Sequence, residues 1–298
     1  MKGNSVLMYG QFPPLITGEG IANEAVRAIL LEEGCSVKIV DSCIIENVGD
    51  VGNVSFKKVY KAIIVMFSAI FQALRVGVLY ATPGQTLFGI VRFLPVIYIA
   101  LILKRRVYLH WHGYGLLPLI IKYPLLKNVL FREGINHILL TDNLKLSLET
   151  VGCSVSECVV VKNFSSEESV PPGKSCNEAK KLNVLFLGGL MIEKGILEFV
   201  EAAESTNKFE FTVCGRGGPE IMKRIKESEA NNHLAFKGLV QGKEKADIYS
   251  TSDILVLQTF YPTEGVPLTI IEAMAHSCAV ITTEHNGIPE TVGQAALK

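Results

Sequence analysis

The sequence predicts an α/β protein made of two doubly wound domains, each a parallel sheet with helices on both faces. Short apolar runs that suit buried strands alternate with helical patterns along the chain. A polar segment rich in Pro and Gly, residues 165–181, separates two such sets. The 298 residues are enough for two cores. We therefore expect domains at residues 1–164 and 182–298, joined by a linker at 165–181.

The first domain opens with a β-loop-α-β pattern. A strand at Val6–Tyr9 leads into the loop GQFPPLITGEGI, and a helical pattern then runs from Ala22 to Glu33 and stops at Gly34. The strand SVKIVD follows, and further strands are predicted at VGVLYA, RVYLHWH and HILLTD. Between these strands lie two apolar helical segments, LFGIVRFLPVIYIALIL and LLPLIIKYPLLKNVLF.

The more apolar of these segments, Leu87–Leu103, tests whether the chain crosses a membrane. Arg92 and Pro95 interrupt it, so its unbroken part is shorter than the roughly 20 residues that span a bilayer. We therefore predict a buried helix. The start of the chain lacks the layout of a signal peptide because Pro13 and Pro14 interrupt its apolar run. These features predict a cytoplasmic protein.

The seven cysteines are scattered and odd in number, and none forms a CxxC pair or a cluster with zinc-ligand spacing. We expect reduced thiols and no metal site. Lys plus Arg and Asp plus Glu both total 29, so the charge balance gives no indication of a nucleic-acid partner.

The second domain repeats the alternating pattern, with strands predicted at NVLFLGGL, FEFTVCG, HLAFKG, DILVLQ and CAVITT.

The stretch EGVPLTIIEAM, Glu264 to Met274, carries the clearest chemistry. Pro267 suits the first turn of a helix, so the N–H groups from Gly265 through Val266 to Leu268 would meet a phosphate at the positive helix end. Glu264 and Glu272 would accept hydrogen bonds from sugar hydroxyls, one from the ribose and one from the transferred sugar. The competing interpretation is a capped surface helix with two solvated glutamates.

EGVPLTIIEAMA, followed by AVITTEHNGIPETV, resembles the donor-site signature of the family 4 glycosyltransferases, the large retaining GT-B group. VLFLGGLMIEKGI resembles the segment that supplies a basic pair to the donor diphosphate. Lys194 matches the lysine of that pair, whereas Gly189 stands where the family usually has arginine. FTVCGRGGPE resembles the Gly-rich loop near the nucleotide, with Gly215 and Arg216. Arg216 either compensates for the missing arginine or is a solvated loop cation.

The resemblance extends into the first half of the chain. GQFPPLITGEG resembles the loop after the first strand, where Gly18 and Gly20 would allow close approach to the donor phosphates or the acceptor. HWHG resembles the segment that carries a histidine near the transferred sugar, and His112 is preferred over His110 because it adjoins the glycine. Taken alone, this histidine would be interpreted as a residue hydrogen-bonded at a strand end. VVVKNF places Asn163 at the family's asparagine.

The resemblance implies a GT-B enzyme whose two domains face a cleft. It would transfer a sugar, with retention, from a nucleotide-sugar donor to a glycan or lipid-linked acceptor in cell-surface polysaccharide synthesis. It implies no cofactor and no metal, which agrees with the lack of a D-x-D motif in the sequence. Lys194 and the helix end at Gly265 would meet the charge of the leaving diphosphate. Glu264 and His112 would orient the donor sugar.

Two further departures keep other functions open. Gln258 and Thr259 replace the family's usual Pro-Ser, and the given sequence stops at AALK, where relatives continue, so we expect an incomplete second domain. One alternative is a catalytically silent glycosyltransferase-like subunit that binds a partner or a nucleotide. A Rossmann oxidoreductase is less favoured, because GQFPPLITGEG does not match G-x-G-x-x-G.

Basic residues beside apolar helices in the first domain predict contact with an anionic membrane surface. Lys104–Arg106 follows one apolar segment, and Lys122, Lys127 and Arg132 punctuate the next. Ordinary solvated faces of helices are an equally good explanation of these charges. The protein would then be cytoplasmic, either free or held at the inner face of the cell membrane.

Overall fold

A computed structural model describes residues 4–13, 17–43, 56–165 and 181–293. The chain divides into two compact units, Met1–Lys162 and Asn163–Lys298, and each is described by itself. The predicted linker at 165–181 lies outside the described residues except for its two end residues, and so does AALK.

The first unit alternates strands and helices as the sequence predicts. Its elements are β1 (Ser5–Gly10), α1 (Gly18–Glu32), β2 (Ser36–Asp41), α2 (Phe56–Ala73), β3 (Val78–Ala81), α3 (Leu87–Val91), α4 (Leu94–Ile102), β4 (Arg106–Trp111), α5 (Leu116–Lys122), α6 (Leu125–Leu130), β5 (Ile135–Leu139), α7 (Asp142–Thr150) and β6 (Cys158–Val160). The strands form one parallel sheet in the order β2-β1-β3-β4-β5-β6. Apolar side chains pack on both faces of this sheet, in one large cluster and one smaller one.

Three helix predictions in this unit need correction. The first helix begins at Gly18 rather than Ala22, because Thr17 caps it and accepts a hydrogen bond from the Gly20 N–H at 3.0 Å. The segment predicted as one buried helix, Leu87–Leu103, is two helices that break at Arg92 and Phe93. The next apolar segment also contains two helices, because a proline precedes the second one and cannot continue the first.

The second unit repeats the alternation. Its elements are β7 (Asn183–Leu190), a short 3-10 helix (Ile192–Lys194), α8 (Ile196–Ser205), β8 (Glu210–Gly217), α9 (Pro219–Ala230), β9 (Ala235–Gly238), α10 (Gly242–Thr251), β10 (Ile254–Leu257), α11 (Leu268–Ala275), β11 (Ala279–Thr282) and α12 (Ile288–Val292). These strands form a second parallel sheet in the order β11-β10-β7-β8-β9. Its buried cluster joins β7, β8 and β10 to α8 and α11.

The fold-class prediction of two doubly wound α/β domains is confirmed. In parallel sheets of this kind, ligands bind beyond the carboxyl ends of the strands, so the loops that follow β7, β8, β10 and β11 are the first place to look for a site. Within the described ranges, no helix is both long and apolar enough to cross a membrane.

Candidate active site

The candidate site of the second unit begins where β7 ends. The 3-10 helix that carries Lys194 closes at Gly195, which has a left-handed φ of 80°. A Cβ at Gly195 would lie 2.8 Å from the Gln258 carbonyl oxygen, so only glycine lets the two loops approach this closely. The Phe260 N–H donates to the Glu193 carbonyl at 2.6 Å. The loop after β7 is therefore held against the loop after β10.

This approach brings Lys194 and Glu264 into contact. Lys194 Nζ lies 2.8 Å from Glu264 Oε2, and the two side chains are only 19% and 11% exposed. Thr259 Oγ1 donates to the same carboxylate oxygen at 3.2 Å. Lys194 and Glu264, two of the three predicted catalytic residues, thus form one partly buried ion pair. The sequence analysis noted Thr259, which donates to this pair, only as a departure from the family pattern.

The loop after β11 fixes the backbone of this acidic loop. Thr283 Oγ1 donates to the Thr259 carbonyl at 2.6 Å, and Asn286 Nδ2 donates to the Glu264 carbonyl at 2.9 Å. The Glu264 N–H in turn donates to the Tyr261 carbonyl at 2.9 Å. The motif AVITTEHNGIPETV therefore holds Glu264 in place through backbone contacts.

The start of α11 differs from the prediction by one position. Pro267 is the N-cap, with φ −61° and ψ 119°, and Leu268 is the first helical residue. Gly265, Val266 and Pro267 are buried, and Leu268 is half-buried. Asn163 Nδ2 donates to the Val266 carbonyl at 2.9 Å, which ties the residue predicted just before the linker to the helix entry. Pro267 offers no side-chain acceptor to the N–H groups of the first turn.

Glu272 lies one turn inside α11, as predicted, but its carboxylate already has protein partners. Lys245 Nζ lies 2.5 Å from Oε1, and the Tyr249 hydroxyl donates to Oε2 at 2.9 Å. The residue is 8% exposed. Both partners come from α10, and the sequence prediction missed them. Their i, i+4 spacing places them on one face of a helix, but nothing in the sequence pairs that face with α11.

The predicted Gly-rich loop is the end of a strand, which corrects the assignment of Gly215 and Arg216 to a loop. Gly215 has a φ of 145°, and a Cβ there would lie 1.9 Å from the Gly188 carbonyl oxygen. Arg216 is exposed and pairs in register with Gly189 on the neighbouring strand β7. Register partners in a parallel sheet project to the same face, so Arg216 occupies the place beside the missing arginine.

In the first unit, Gly18 and Gly20 lie in the first turn of α1, and the residue between them is a carboxylate that the sequence prediction did not select. Glu19 Oε1 accepts hydrogen bonds from Thr82 Oγ1 at 2.7 Å and from the Gln11 N–H at 3.2 Å. Burial raises the pKa of Glu19 to about 7, against the lowering effect of these bonds and of the Arg92 charge. The position of Glu19 between Gly18 and Gly20 is the sequence feature that could have identified it as a candidate.

His112 follows β4, at the carboxyl edge of the first sheet. Its ring centroid is 4.0 Å from that of His110, and its Nε2 atom is buried with no hydrogen-bond partner in the described part of the chain. Burial and the neighbouring His110 hold the pKa of His112 well below its usual value. His110 differs because its Nδ1 lies 2.6 Å from the Tyr80 hydroxyl, and burial lowers its pKa to about 4.

The predicted residues thus fall into two groups. Lys194, Glu264, the segment 265–268 and Glu272 form a continuous set around the loops after β7 and β10, with Arg216 at the end of β8. His112, Gly18 and Gly20 belong to the first unit, at the loops after β4 and β1. Among the residues that the structure describes, no group of three or more His, Cys, Asp or Glu side chains could hold a metal ion.

Comparison with known proteins gives the class of the fold. Residues 181–297 match the family model described as "Glycosyl transferases group 1", so the second unit contains a group 1 glycosyl transferase domain. The chain superposes on a crystal structure of Anabaena Alr3699/HepE in complex with UDP and glucose, with a TM-score of 0.66 and 14% identity, over 97% of this chain and 83% of that one. The architecture is therefore GT-B-like.

Two further similarities were found. The catalytic domain of starch synthase IV from Arabidopsis thaliana, bound to ADP and acarbose, matches with a TM-score of 0.69 and 11% identity, over 97% of this chain and 84% of that one. The putative colanic acid biosynthesis glycosyltransferase WcaL of Escherichia coli K12 is 24% identical over 173 residues. That match covers 55% of this chain and 43% of WcaL, so the chain spans less than half of that relative's length.

Proposed function

We propose that the protein is a retaining glycosyltransferase of family 4 that moves a sugar from a nucleotide-sugar donor to a glycan or lipid-linked acceptor. The observation that carries this proposal is the partly buried contact between Lys194 and Glu264, 2.8 Å apart beside the start of α11. A cation, a carboxylate and a helix N-terminus at the carboxyl end of a parallel sheet are what a sugar diphosphate requires.

Lys194 would meet the diphosphate. Negative charge grows on the leaving diphosphate as the bond to the sugar breaks, and a positioned cation stabilises that charge best in a site shielded from water. The ion pair with Glu264 would hold the Lys194 side chain in position before donor arrives. The N–H groups at the start of α11 would add the positive end of the helix dipole.

Arg216 would supply the second positive charge that Gly189 lacks. The two residues pair across β7 and β8, and Gly189 leaves the space above it open, since a Cβ there would have Met191 Sδ at 3.8 Å as its nearest neighbour. An arginine side chain from the adjacent strand can therefore reach the volume where the family usually places its own. This explains how a glycine is tolerated at that position.

Glu264 and His112 would orient the transferred sugar. In the described part of the chain, the contacts of the Glu264 carboxylate fall on Oε2, which leaves Oε1 to accept a sugar hydroxyl. His112 would present a neutral ring, because burial lowers its pKa. In a front-face reaction the sugar–phosphate bond breaks, the acceptor oxygen attacks from the same face, and the leaving phosphate takes the acceptor proton. No metal or cofactor is part of this proposal.

The printed names of the relatives support a proposal for the process. WcaL is named for colanic acid biosynthesis, and two other curated relatives are named for amylovoran and teichuronic acid biosynthesis. We propose that this protein also acts in the synthesis of a cell-surface polysaccharide, in the cytoplasm, where nucleotide sugars are made. The donor sugar and the acceptor would be set by residues around this site.

A thermal-shift screen against a panel of nucleotide sugars, including UDP-glucose, tests the proposal. A ligand that binds the native state raises its melting temperature, by an amount that grows with concentration over Kd. We expect at least one nucleotide sugar to raise the melting temperature and then to be slowly hydrolysed. Binding without hydrolysis or transfer would assign the chain to the catalytically silent alternative. No shift with any donor would overturn the proposal.

A further inference from the structure

One side of helix α2 turns a row of bulky apolar side chains to solvent. They are Phe56, Tyr60, Ile63, Ile64, Phe67 and Phe71, and Leu74 continues the row just after the helix ends. At 3.6 residues per turn these positions fall within an arc of about 100°, so they form one continuous strip along the helix. Phe56 is 98% exposed and Phe67 is 61% exposed. We refer to these seven residues as the α2 stripe.

The opposite face of α2 packs on the sheet through buried alanines and through the half-buried residues Val65, Met66 and Ile70. Ala62, Ala69 and Ala73 are buried there, and the last two are fully inaccessible to solvent. A helix whose only task was to cover a sheet would turn its aromatic side chains inward. Here the alanines pack and the aromatic side chains do not, so the α2 stripe is an apolar surface of the kind that marks an interaction site.

The charge around the stripe has a single sign in the sequence. Residues 51–132 contain eleven Lys and Arg and no Asp or Glu, although the whole chain has equal numbers of acids and bases. This acid-free segment includes the α2 stripe and the basic residues predicted from the sequence to contact a membrane. A partner that covers the stripe must therefore also accept positive charge.

The cations lie beside the stripe in the structure. The Arg75 guanidinium lies over the Phe71 ring, 3.9 Å from its centroid, and Lys61 is exposed next to Tyr60. Arg105 Nη2 donates to the Leu74 carbonyl at 3.4 Å. That bond places the basic run 104–106 at the end of the stripe, where Ile102 is also exposed. Apolar and cationic side chains thus form one surface.

We propose that the α2 stripe and its cations dock the first unit onto an anionic lipid bilayer, with the helix lying in the headgroup region. An amphipathic helix of this kind gains from burying apolar area and from attraction to anionic lipid. A second copy of the chain fits less well, because two such surfaces would bring like charges together. This inference rests on α2 and the cations beside it, and it does not depend on the transferase activity.

Sedimentation of the full chain with vesicles tests the docking surface. We expect binding to vesicles of equal parts phosphatidylcholine and phosphatidylglycerol, weakening as salt rises, and little binding to phosphatidylcholine alone. The double variant Ile64→Ser/Phe67→Ser is expected to bind about ten-fold more weakly, because apolar area is lost. Lys61→Gln/Arg75→Gln is expected to bind about twenty-five-fold more weakly at low salt, since each cation near the surface contributes about five-fold.

The matched control is Leu146→Ser on α7, which removes another exposed apolar side chain of the same unit and is expected to bind like the wild type. Equal binding to neutral vesicles, no binding at all, or an equal loss in the control would overturn the proposal. A dimer that the α2 variants dissociate, without vesicle binding, would assign the stripe to a second copy instead. Unchanged melting temperatures and donor-induced shifts in the variants separate this result from misfolding and from the donor site.

Discussion

The carboxyl ends of the two sheets carry opposite kinds of polar group. In the second unit, Lys194 pairs with Glu264 and Lys245 pairs with Glu272, so the charges there are matched. In the first unit, burial raises the pKa of Glu19 to about 7 despite the nearby Arg92 charge, and burial lowers the pKa of His110 to about 4. The edge of the second sheet therefore carries ion pairs, whereas burial at the edge of the first sheet favours the neutral forms of Glu19 and His110.

The difference indicates a division of work. Ion-paired side chains can exchange partners with an arriving diphosphate, so the second unit suits an anionic ligand. Neutral carboxyl and imidazole groups can donate and accept hydrogen bonds without repelling a neutral ligand, so the first unit suits sugar hydroxyls. The three predictions below test this contrast.

The largest effect is expected when Lys194, the cation that contacts Glu264, is removed. Lys194→Ala should lower kcat about a hundred-fold to a thousand-fold and weaken donor binding less, because the charge that Lys194 meets grows in the transition state. Steady-state kinetics with a donor found in the thermal-shift screen measure both effects. Lys223→Ala on α9, which removes a 79% exposed lysine, is the control and should behave like the wild type. An equal loss of affinity for an uncharged nucleoside would point to misfolding.

A smaller effect is expected at Glu272. Glu272→Ala should weaken nucleotide-sugar binding about ten-fold to a hundred-fold if the carboxylate accepts ribose hydroxyls. It should also lower the free energy of unfolding by about 1–3 kcal/mol, because Lys245 and Tyr249 lose their partner. Lys245→Met separates the two effects, since it breaks the ion pair and leaves the carboxylate. Lower stability with an unchanged donor Kd would give Glu272 a purely structural role.

The smallest effect concerns pH and Glu19. The native carboxyl stays protonated up to about pH 7, whereas the unfolded one ionises near its ordinary pKa of 4.5. The unfolded state therefore binds fewer protons between pH 4.5 and 7, and stability falls as pH rises through that window. Glu19→Gln cannot titrate, so its stability relative to wild type should rise between pH 5 and 8, by about 1–3 kcal/mol since part of the side chain reaches solvent.

Urea unfolding at the two pH values measures this change. Thr82→Val is the companion variant, because it removes the hydroxyl that donates to Glu19 and leaves the carboxyl in place. It should retain the pH dependence that Glu19→Gln loses. A stability difference between Glu19→Gln and wild type that is the same at pH 5 and pH 8 would show that Glu19 is not held protonated.

The positions of the strands along the chain were predictable from sequence, whereas the breaks between helices were not. Strands such as β7 and β10 are buried apolar runs bounded by polar residues, so local pattern alone reveals them. Arg92 shows what pattern cannot reveal. It sits between α3 and α4, and its guanidinium donates to the Ser42 carbonyl at 2.8 Å, a contact across 50 positions of sequence. The effect of Arg92 on stability therefore depends on Ser42, a partner that the local sequence around Arg92 does not contain.

The candidate site divides in the same way. Glu264 and Glu272 were predicted from the turn and helix start beside them, and Lys194 from the family resemblance of its segment. Lys245 and Tyr249 were missed because their role is to hold Glu272 from another helix. The α2 stripe was missed because periodicity shows that a helix has a bulky apolar face without showing which face turns inward.

The sequence by itself determined the two alternating sets of strands and helices and the position of the turn that carries Glu264. Those features depend on side-chain period, on glycine and proline geometry, and on charge, all of which act over a few residues. Only the tertiary structure decided that Lys194 contacts Glu264, that Arg216 stands beside Gly189, and that α2 turns its aromatic side chains outward. These outcomes depend on contacts between residues far apart in the chain, which form only when the sheets and helices pack.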